Sequence, residues 1–533
     1  MRLPIQRRTR LWLVWLLVVF GALNVFGSAL EAWRRPGDAG PTDWKALRQR
    51  QTPFERVMTT LRDDGDVERY FAYAEATFGR PYPADFVRAA GKAGPEGPPD
   101  PSRIATPDRP LVPWRDFAVE YPPGMMAAAL LPALLTHDEE TYVRLFALDM
   151  EAALTLAVWL AVRTAKRMRP GAGEAALAHA ILLTLSLGVI AVRRYDPSVA
   201  LAIAAAISAL AARRPAASGA ALGLAVALKG VPILLAPIFV MVALRLNEKG
   251  SRPMTLTRRP SAAALSLGET GAAAPSIPSP SGRRCREAPD EGVRHPLARW
   301  LAGFAAAVSL AGLAYVLIAG PHALDAFAYH GSRPIQIETI YSGLLILARS
   351  FDPSFMSEAF AYGSMNAVSP AEPALRALSS LLLLAGIAAS WAFAWARLRD
   401  ARDEGQRLLA VLQASLVCLL AVITLGKVFS PQYGVWLVPL AAAAAPFASA
   451  EARRLLPFAL LLVQAEYPFL YGFLYSTLTP AAGALIALRT VWLWRYARAV
   501  VAGSPSTQPI ATCADPPPPP LWGREGVGGR ADL

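Results

Sequence analysis

The sequence predicts an all-α polytopic membrane protein, and three observations support this fold class. Hydrophobic residues make up 54% of the 533-residue chain. Charged residues make up only 17%, against roughly a quarter in soluble domains. Apolar runs close to the ~20 residues that cross a bilayer as a helix recur along the whole chain. A soluble protein, a coiled coil and a wholly disordered chain are therefore excluded.

The N-terminal segment predicts a membrane helix that starts in the cytoplasm. Four arginines between residues 2 and 10 precede an apolar run over 11–30. This run is longer than the core of a signal peptide and has no clear cleavage site of small residues. Residues 31–120 then form a polar loop with fifteen acidic and fourteen basic residues, a balance typical of an extracytoplasmic loop.

Eleven further apolar runs predict the rest of the bundle. They lie at 143–162, 174–192, 197–212, 217–228, 231–245, 299–319, 375–396, 407–425, 432–448, 455–475 and 480–500. With the first helix they give about twelve membrane segments, some of them too short to span alone. One more run, at 122–136, is also short, and we assign it to the outer membrane interface.

The charges of the connecting loops predict the orientation. If 122–136 crossed the membrane, the four basic residues between 163 and 169 would lie outside, against the positive-inside rule. With 122–136 at the interface they lie inside, and so do the other basic segments, at 213–214, 245–299, 397–407, 453–454 and 495–498. Both termini are then cytoplasmic. Topology therefore explains the net charge of +13, and nucleic-acid binding does not.

The chain divides into four parts. The N-terminal membrane half covers 1–249 and includes the extracytoplasmic loop 31–142, and the C-terminal membrane half covers 299–502. Residues 250–298 and 503–533 are dominated by small residues, prolines and arginines, and cannot bury enough apolar surface to offset the entropy of ordering. We predict a disordered cytoplasmic insert and a disordered tail. The three cysteines show no disulfide or zinc spacing.

A first polar motif lies in the long outer loop. Thr52-Pro53-Phe54-Glu55 is a capping box with proline at the first helical position, which predicts a helix start. A second helix is predicted over 67–78, ended by Gly79. Asp66 and Tyr70 are four residues apart and can share one face of this helix. Asp66 is either a functional carboxylate on that face or only the N-cap of the helix.

Two further motifs precede short apolar segments on the outer side. Glu120-Tyr121-Pro122-Pro123-Gly124 predicts an extended entry into the interfacial helix. Arg193-Arg194-Tyr195-Asp196-Pro197 places two arginines where the positive-inside rule disfavours them. Arg194 therefore either holds an anion or pairs with Asp196 to close a turn.

Lys229 lies between two short apolar half-segments and is followed by Gly230 and Pro232. This pattern predicts that the helix breaks and the chain re-enters the membrane at the outer face. Lys229 is either a site residue or a lysine that snorkels to the interface. Outer segments 329–338 and 427–433 each combine a cation, an amide and an aromatic residue. Independent snorkelling residues would be distributed over both faces, so the collection on one face indicates a functional site.

Together these motifs resemble the GT-C glycosyltransferases, most closely glycosyltransferase family 87, the polyprenyl-phosphate-mannose-dependent mannosyltransferases of bacterial envelopes. The resemblance extends over residues 11–500 or so. The residues that carry it are Asp66-Val-Glu-Arg-Tyr70, Tyr121-Pro122-Pro123, Lys229 with Pro232 and Pro237, and Ser430-Pro431-Gln432-Tyr433. Between Gly91 and Asp116 the first outer loop is longer and richer in proline than the resemblance leads us to expect.

The resemblance implies a GT-C-like bundle in the bacterial cytoplasmic membrane, with juxtamembrane helices in the first outer loop and an extracytoplasmic active site. It implies a polyprenyl-phosphate sugar as donor and an envelope glycolipid, glycan or protein as acceptor. Asp66 aligns with the general base of this superfamily. The candidate phosphate-binding cations are Arg333, Lys229, Lys427 and Arg194. The candidate substrate-binding residues are Tyr70, Glu120, Tyr121, Asp196, Gln336, Glu338, Gln432 and Tyr433.

No cofactor is expected, and metal dependence is left open. The sequence has no P-loop, no dinucleotide-binding glycine pattern after a strand and no His-Glu-x-x-His. The alternative function is a lipid or glycolipid transporter without transferase activity. Such a protein would have an inverted repeat and charges near the membrane midplane. The sequence contains no convincing repeat, and its polar motifs collect at one face.

Overall fold

A computed structural model describes residues 5–16, 65–91, 103–250, 295–471 and 477–503. Within these ranges the chain is mostly α-helical, as predicted. The helices of the N-terminal half are α1 Ile5–Leu16, α2 Gly65–Phe78, α3 Pro123–Ala133, α4 Glu139–Met168, α5 Ala172–Leu187, α6 Asp196–Ala211, α7 Pro215–Leu228 and α8 Ala236–Gly250. Those of the C-terminal half are α9 Pro296–Ala319, α10 Asp325–Ser332, α11 Ile340–Ala348, α12 Glu372–Asp400, α13 Glu404–Leu425, α14 Gly434–Ala444, α15 Ala450–Gln464 and α16 Pro480–Ala502.

Within the part of the chain that the structure describes, five helical regions are long and apolar enough to cross a membrane. They are Glu139–Met168, Ala172–Ala191, Pro296–His322, Glu372–Asp400 and Glu404–Leu425. Helices α3, α6 and α7 are apolar but shorter. The chain is therefore a multi-pass membrane protein, while the total of about twelve membrane segments stays a prediction.

Several predicted segments lie outside the described residues. They are the capping box at 52–55, most of the first membrane helix at 11–30, most of the insert at 250–298 and almost all of the tail at 503–533. Helix α9 begins at Pro296, slightly before the start predicted for this segment.

Side-chain caps and prolines set many of the helix starts. Asp138, the N-cap of α4, accepts a hydrogen bond from the backbone N–H of Thr141 at 2.8 Å. Asp403 caps α13 in the same way through the N–H of Gln406, also at 2.8 Å. Prolines occupy the first turns of α6, α7 and α9, where a backbone N–H has no partner in the helix. These helices therefore begin abruptly, which permits short connections.

Helices α7 and α9 approach each other closely through glycines. A Cβ atom added at Gly219 would lie 2.1 Å from the carbonyl oxygen of Trp300. One added at Gly303 would lie 2.0 Å from the carbonyl oxygen of Ala216, and one added at Gly223 would lie 2.7 Å from the Cβ atom of Ala307. Small residues allow such backbone contact between membrane helices. We call this contact the glycine seam; it joins a helix of the N-terminal half to the first helix of the C-terminal half.

The basic loops meet at one end of the bundle. Arg169, in the turn between α4 and α5, donates to the carbonyl of Pro446 at 2.7 Å. Arg213, in the turn between α6 and α7, pairs with Glu404 at 2.5 Å. All these turns are predicted from the sequence to lie in the cytoplasm. Helix α3, which lies at the other end, is roughly 16 Å long at 1.5 Å per residue, too short for a ~30 Å hydrocarbon core.

Among the described residues, two small pairs of antiparallel strands lie in the loops at this other end, and neither was predicted from the sequence. Strand β1 Tyr82–Pro83 pairs with β2 Ile104–Ala105, and β3 Ser357–Ala361 pairs with β4 Ser364–Val368. The prediction of an all-α protein is therefore wrong for these loops. The strands are short and have no sustained alternation of apolar and polar residues, the pattern that signals a strand in a sequence.

Candidate active site

Helix α2 brings Asp66 to the loop between α5 and α6. The predicted helix is confirmed, and because it begins at Gly65, Asp66 lies in its first turn, where the helix dipole favours a negative charge. The Nε atom of Arg194 lies 2.8 Å from Oδ2 of Asp66. Burial by itself would raise the pKa of Asp66, but Arg194, Arg69 and Lys229 outweigh it and hold the pKa below its ordinary value. The carboxyl group is therefore ionised at neutral pH.

Asp196 and Lys229 form an ion pair buried between α6, α7 and α14. Nζ of Lys229 lies 2.8 Å from Oδ1 of Asp196, and Nε1 of Trp436 donates to the same oxygen at 2.7 Å. Nζ also lies 4.8 to 5.0 Å from the ring centroids of Tyr195, Tyr433 and Trp436. Lys229 is thus a buried cation enclosed by aromatic rings; it does not snorkel to an interface.

Three tyrosines form an aromatic wall beside the Asp66–Arg194 pair. The ring centroid of Tyr70 lies 5.9 Å from that of Tyr195 and 6.1 Å from that of Tyr121. The centroids of Tyr121 and Tyr195 are 5.3 Å apart, and all three contacts are edge-to-face. Tyr70 and Tyr121, both candidates for substrate binding, therefore belong to one packed surface.

Glu120 lies between two arginines. Arg69 of α2 forms a close ion pair with one carboxylate oxygen, and Nη2 of Arg88 lies 3.0 Å from the other. Nε2 of His330 lies 2.9 Å from the backbone oxygen of Glu120. These contacts tie α2 to α10 and to the loop after α2. A direct role of Glu120 in substrate binding would require one of the two ion pairs to open.

Arg333 and Lys427 lie in neighbouring outer loops. Nη2 of Arg333 donates to the hydroxyl of Ser364 at 2.8 Å. The Nε of Arg333 is buried and has no hydrogen-bond partner among the residues described. Nζ of Lys427 donates to the carbonyl of Gly331 at 2.8 Å. The charge of Arg333 also contributes to lowering the pKa of Asp66, which places it within electrostatic reach of that carboxylate.

Gln336 and Glu338 belong to a second buried cluster, which they form with α16. Gln336 donates to the side chain of Glu338. Arg489 of α16 donates to the backbone oxygen of Glu338 at 2.6 Å and pairs with Glu466. Burial, and then the negative charge of Glu466, raise the pKa of Glu338 to about 8. Glu338 therefore carries a proton at neutral pH.

Gln432 and Tyr433 begin the segment that leads into α14. The hydroxyl of Ser430 donates to the side-chain oxygen of Gln432. The ring of Tyr433 stacks on that of Trp436 with centroids 4.6 Å apart. Tyr433 thus forms one side of the aromatic enclosure around Lys229.

All thirteen predicted site residues lie in the described part of the chain, at the end of the bundle opposite the basic loops. The Asp66–Arg194 pair, the Lys229 enclosure and Arg333 are coupled electrostatically. Gln336 and Glu338 pack in the cluster with α16, and Glu338 is also within electrostatic reach of Arg333. No group of three or more His, Cys, Asp or Glu side chains in the described ranges is placed to hold a metal ion.

Three residues of the site, Arg69, Trp436 and Ser364, were not predicted from the sequence. Arg69 follows Asp66 by three residues, so helical spacing alone places the two on one face. Trp436 follows Tyr433 by three residues in the same way. The pairing of Ser364 with Arg333 has no such local signal, because it depends on how a distant loop folds back.

Comparison with known proteins finds a similarity to glycosyltransferases. The sequence profile of glycosyltransferase family 87 matches residues 119–274, less than a third of the chain. The match includes Glu120, Arg194, Asp196 and Lys229 but not Asp66 or Arg333. No curated protein matches the sequence.

Among solved structures, the crystal structure of ArnT from Cupriavidus metallidurans bound to undecaprenyl phosphate is similar, with 13% sequence identity and a TM-score of 0.35. The match covers 72% of this chain and 65% of ArnT, so the chain spans slightly less than two thirds of that protein. At this level of similarity no residue role is transferred from ArnT. The family profile and the motifs agree, and they confirm the predicted resemblance of this membrane protein to the glycosyltransferases of family 87.

Proposed function

We propose that this protein transfers a hexose, with mannose as the first choice, from a polyprenyl-phosphate donor to an envelope glycolipid, glycan or protein at the extracytoplasmic membrane face. One observation carries the proposal: an ionised carboxylate, Asp66, lies among cations at the end of the bundle opposite the basic loops. The class of donor is taken from the resemblance to family 87.

Asp66 is the proposed general base. An acceptor hydroxyl oxygen attacks the anomeric carbon of the donor sugar, and its proton passes to the carboxylate. The bond between the anomeric carbon and the phosphate oxygen breaks, and its electron pair leaves with the polyprenyl phosphate. Because its pKa is held below the ordinary value, Asp66 is ionised before the reaction and needs no prior deprotonation.

Arg333 is the first candidate for the cation that stabilises the leaving phosphate. Its Nε is buried without a hydrogen-bond partner in the described ranges, so an anion would satisfy it. Arg194 is the second candidate, since its guanidinium contacts the proposed base directly. Lys427 is a third, at the edge of the same region.

Lys229 ranks last as a direct phosphate ligand. Its ammonium is neutralised by Asp196, and rings surround it on three sides. A phosphate could reach it only by displacing a partner that is itself buried, and a buried charge without its partner is strongly unfavourable. We assign Lys229 a structural role in shaping the site.

The orientation is part of the proposal. Turns rich in arginine and lysine collect at one end of the bundle, and such turns face the cytoplasm in membrane proteins. Asp66 and the cations around it, here called the Asp66 cluster, then lie on the extracytoplasmic side of the membrane, where nucleotide sugars are not available. A lipid-linked donor supplies the sugar at that face, which suits a site without a nucleotide-binding motif.

The test is transfer by purified protein in detergent. We expect radiolabel from polyprenyl-phosphate mannose to appear in envelope lipids or glycans added as acceptors, with release of polyprenyl phosphate, and no label from GDP-mannose. Polyprenyl-phosphate glucose distinguishes the sugar. If labelled lipid instead crosses proteoliposome membranes without any transfer, the transporter is the correct function and the proposal fails.

A further inference from the structure

The hairpin formed by β3 and β4 contacts the candidate site although no motif pointed to it. The strands pair in register from Ser357 with Val368 to Ala361 with Ser364. The two residues of the turn, Tyr362 and Gly363, have φ angles of 55° and 65°. This left-handed turn joins the strands directly, so the orientation of the hairpin tip relative to the strands is fixed.

The hairpin holds the side chain of Arg333. The hydroxyl of Ser364, at the start of β4, accepts a hydrogen bond from Nη2 of Arg333 at 2.8 Å. The Nδ2 atom of Asn366 donates to the carbonyls of Ala361 at 2.6 Å and Ser364 at 2.8 Å, which fixes the turn around that hydroxyl. One nitrogen of the guanidinium is therefore anchored, while Nε is left without a partner among the described residues.

The hairpin also holds the backbone that carries Arg333. The N–H of Ile337 donates to the carbonyl of Met365 at 3.1 Å, and the N–H of Ala367 donates to the carbonyl of Ile335 at 2.9 Å. On its other side, this segment is bonded to the Lys427 loop. The segment is thus bridged to β4 through Gln336 and Asn366, so its position depends on the hairpin.

The tip of the hairpin reaches the helix that carries Asp66. A Cβ atom at Gly363 would lie 2.7 Å from Nη1 of Arg69, one turn along α2 from Asp66. The hydroxyl of Tyr362 donates to that of Ser332 at 3.3 Å, next to Arg333. The hairpin therefore touches both the helix of the proposed base and the segment of the proposed phosphate ligand.

We propose that the β3–β4 hairpin is the positioning element of the phosphate site. Ser364 orients the Arg333 guanidinium toward the phosphate of the donor lipid, and Gly363 lets the tip seat against Arg69. Together they set the distance between the leaving phosphate and Asp66. The inference rests on the function proposed above and adds positioning residues to it.

The experiment measures binding of farnesyl phosphate, a short polyprenyl phosphate, to the full-length protein in detergent. Loss of a hydrogen bond to a charged group weakens binding by roughly tenfold, which we expect for Ser364→Ala. Ser364→Thr keeps the hydroxyl and should bind within about twofold of wild type. Ser354→Ala, in the turn before β3, is the matched control and should have no effect. Farnesol, which lacks the phosphate, should bind every variant alike.

Two results would overturn the inference. One is wild-type binding by Ser364→Ala; the other is equal weakening by Ser364→Ala and Ser364→Thr, since the hydroxyl would then not be the cause. In either case Arg333→Ala separates the two proposals. If Arg333→Ala loses phosphate-dependent binding, the phosphate site stands and only the role of the hairpin fails. If it binds normally, the assignment of Arg333 fails as well.

Gly363→Ala gives an independent readout. The added methyl group meets the guanidinium of Arg69 and occupies a left-handed backbone position, so either the tip or that guanidinium must shift. We expect a higher KM for the donor with a smaller change in kcat, together with a melting temperature in detergent that shows a folded protein. An unchanged KM in a folded variant would contradict the seating of the tip.

Discussion

The guanidinium of Arg194 is 2.8 Å from the carboxylate of Asp66, so the proposed base and a proposed phosphate ligand form an ion pair with each other. A donor phosphate that engages Arg194 would compete with Asp66 for it. Because Arg194 lowers the pKa of Asp66, that competition would make the carboxylate a stronger base. The pairing therefore links binding of the donor to activation of the acceptor.

Asp66→Asn tests the general base. Asparagine keeps the polar side chain in the first turn of α2 but cannot accept a proton, so transfer should fall by about a hundredfold or more. Asp116→Asn is the control, because Asp116 is also a carboxylate of the outer loop paired with an arginine. Transfer rate and melting temperature are measured for both. Near-wild-type transfer by Asp66→Asn would leave Asp66 only a structural role.

Arg194→Ala tests the electrostatic link through the pH dependence of transfer. A base acts only when ionised, so transfer declines as pH falls through the pKa of Asp66. Arg194 lowers that pKa, and its removal should move the acid limb of the profile to higher pH. Arg193→Ala, which removes the same charge from the adjacent position, should leave the limb nearly in place. Superimposable profiles for Arg194→Ala and wild type would refute the link.

The buried pair of Asp196 and Lys229 predicts an asymmetric effect on stability. Lys229→Met leaves a carboxylate buried without its cation and should cost about 3–5 kcal/mol, seen as a large drop in melting temperature. Lys229→Met combined with Asp196→Leu removes both charges and should recover much of that loss. Equal melting of the single and double variants would mean that the charge of Asp196 is not buried as the structure has it.

Glu338 predicts how stability varies with pH. In the unfolded chain a glutamate ionises near pH ~4.3, whereas burial raises the pKa of Glu338 to about 8 in the folded protein. Between these values the folded state holds a proton that the unfolded state has lost, so stability falls as pH rises. Glu338→Gln should flatten this decline in melting temperature, while Glu358→Gln on β3 should not. A wild-type decline in Glu338→Gln would assign the effect to other groups.

Cysteine labelling tests the orientation. In a background with Cys285 and Cys513 changed to serine, Asp108→Cys should react with an impermeant thiol reagent in intact spheroplasts. Arg402→Cys should react only after the membrane is opened. Both positions are exposed, so access and not burial decides the result. The reverse pattern would place the Asp66 cluster in the cytoplasm and remove the basis for a lipid-linked donor.

The sequence predicted which residues lie in the candidate site better than it predicted which of them pair with each other. Asp66 and Lys229 were found because each interrupts an apolar or helical pattern locally, and the structure places both in the candidate site. Their partners were not predicted: Arg194 pairs with Asp66 and Asp196 with Lys229, and each choice depends on how separate helices pack. A turn of two residues such as Tyr362-Gly363 lacks the usual hairpin signals, so its contact with Arg69 was beyond sequence reasoning.

The glycine seam between α7 and α9 has a consequence for how the chain tolerates insertions. The division at 250–298 separates the halves in sequence, yet α9 packs against the N-terminal half, backbone to backbone, through Gly219 and Gly303. The covalent connection between α8 and α9 is therefore not what holds the halves together. Because the cost of closing a loop grows only slowly with its length, we expect that residues can be gained or lost there while the seam keeps both sides of the candidate site in register.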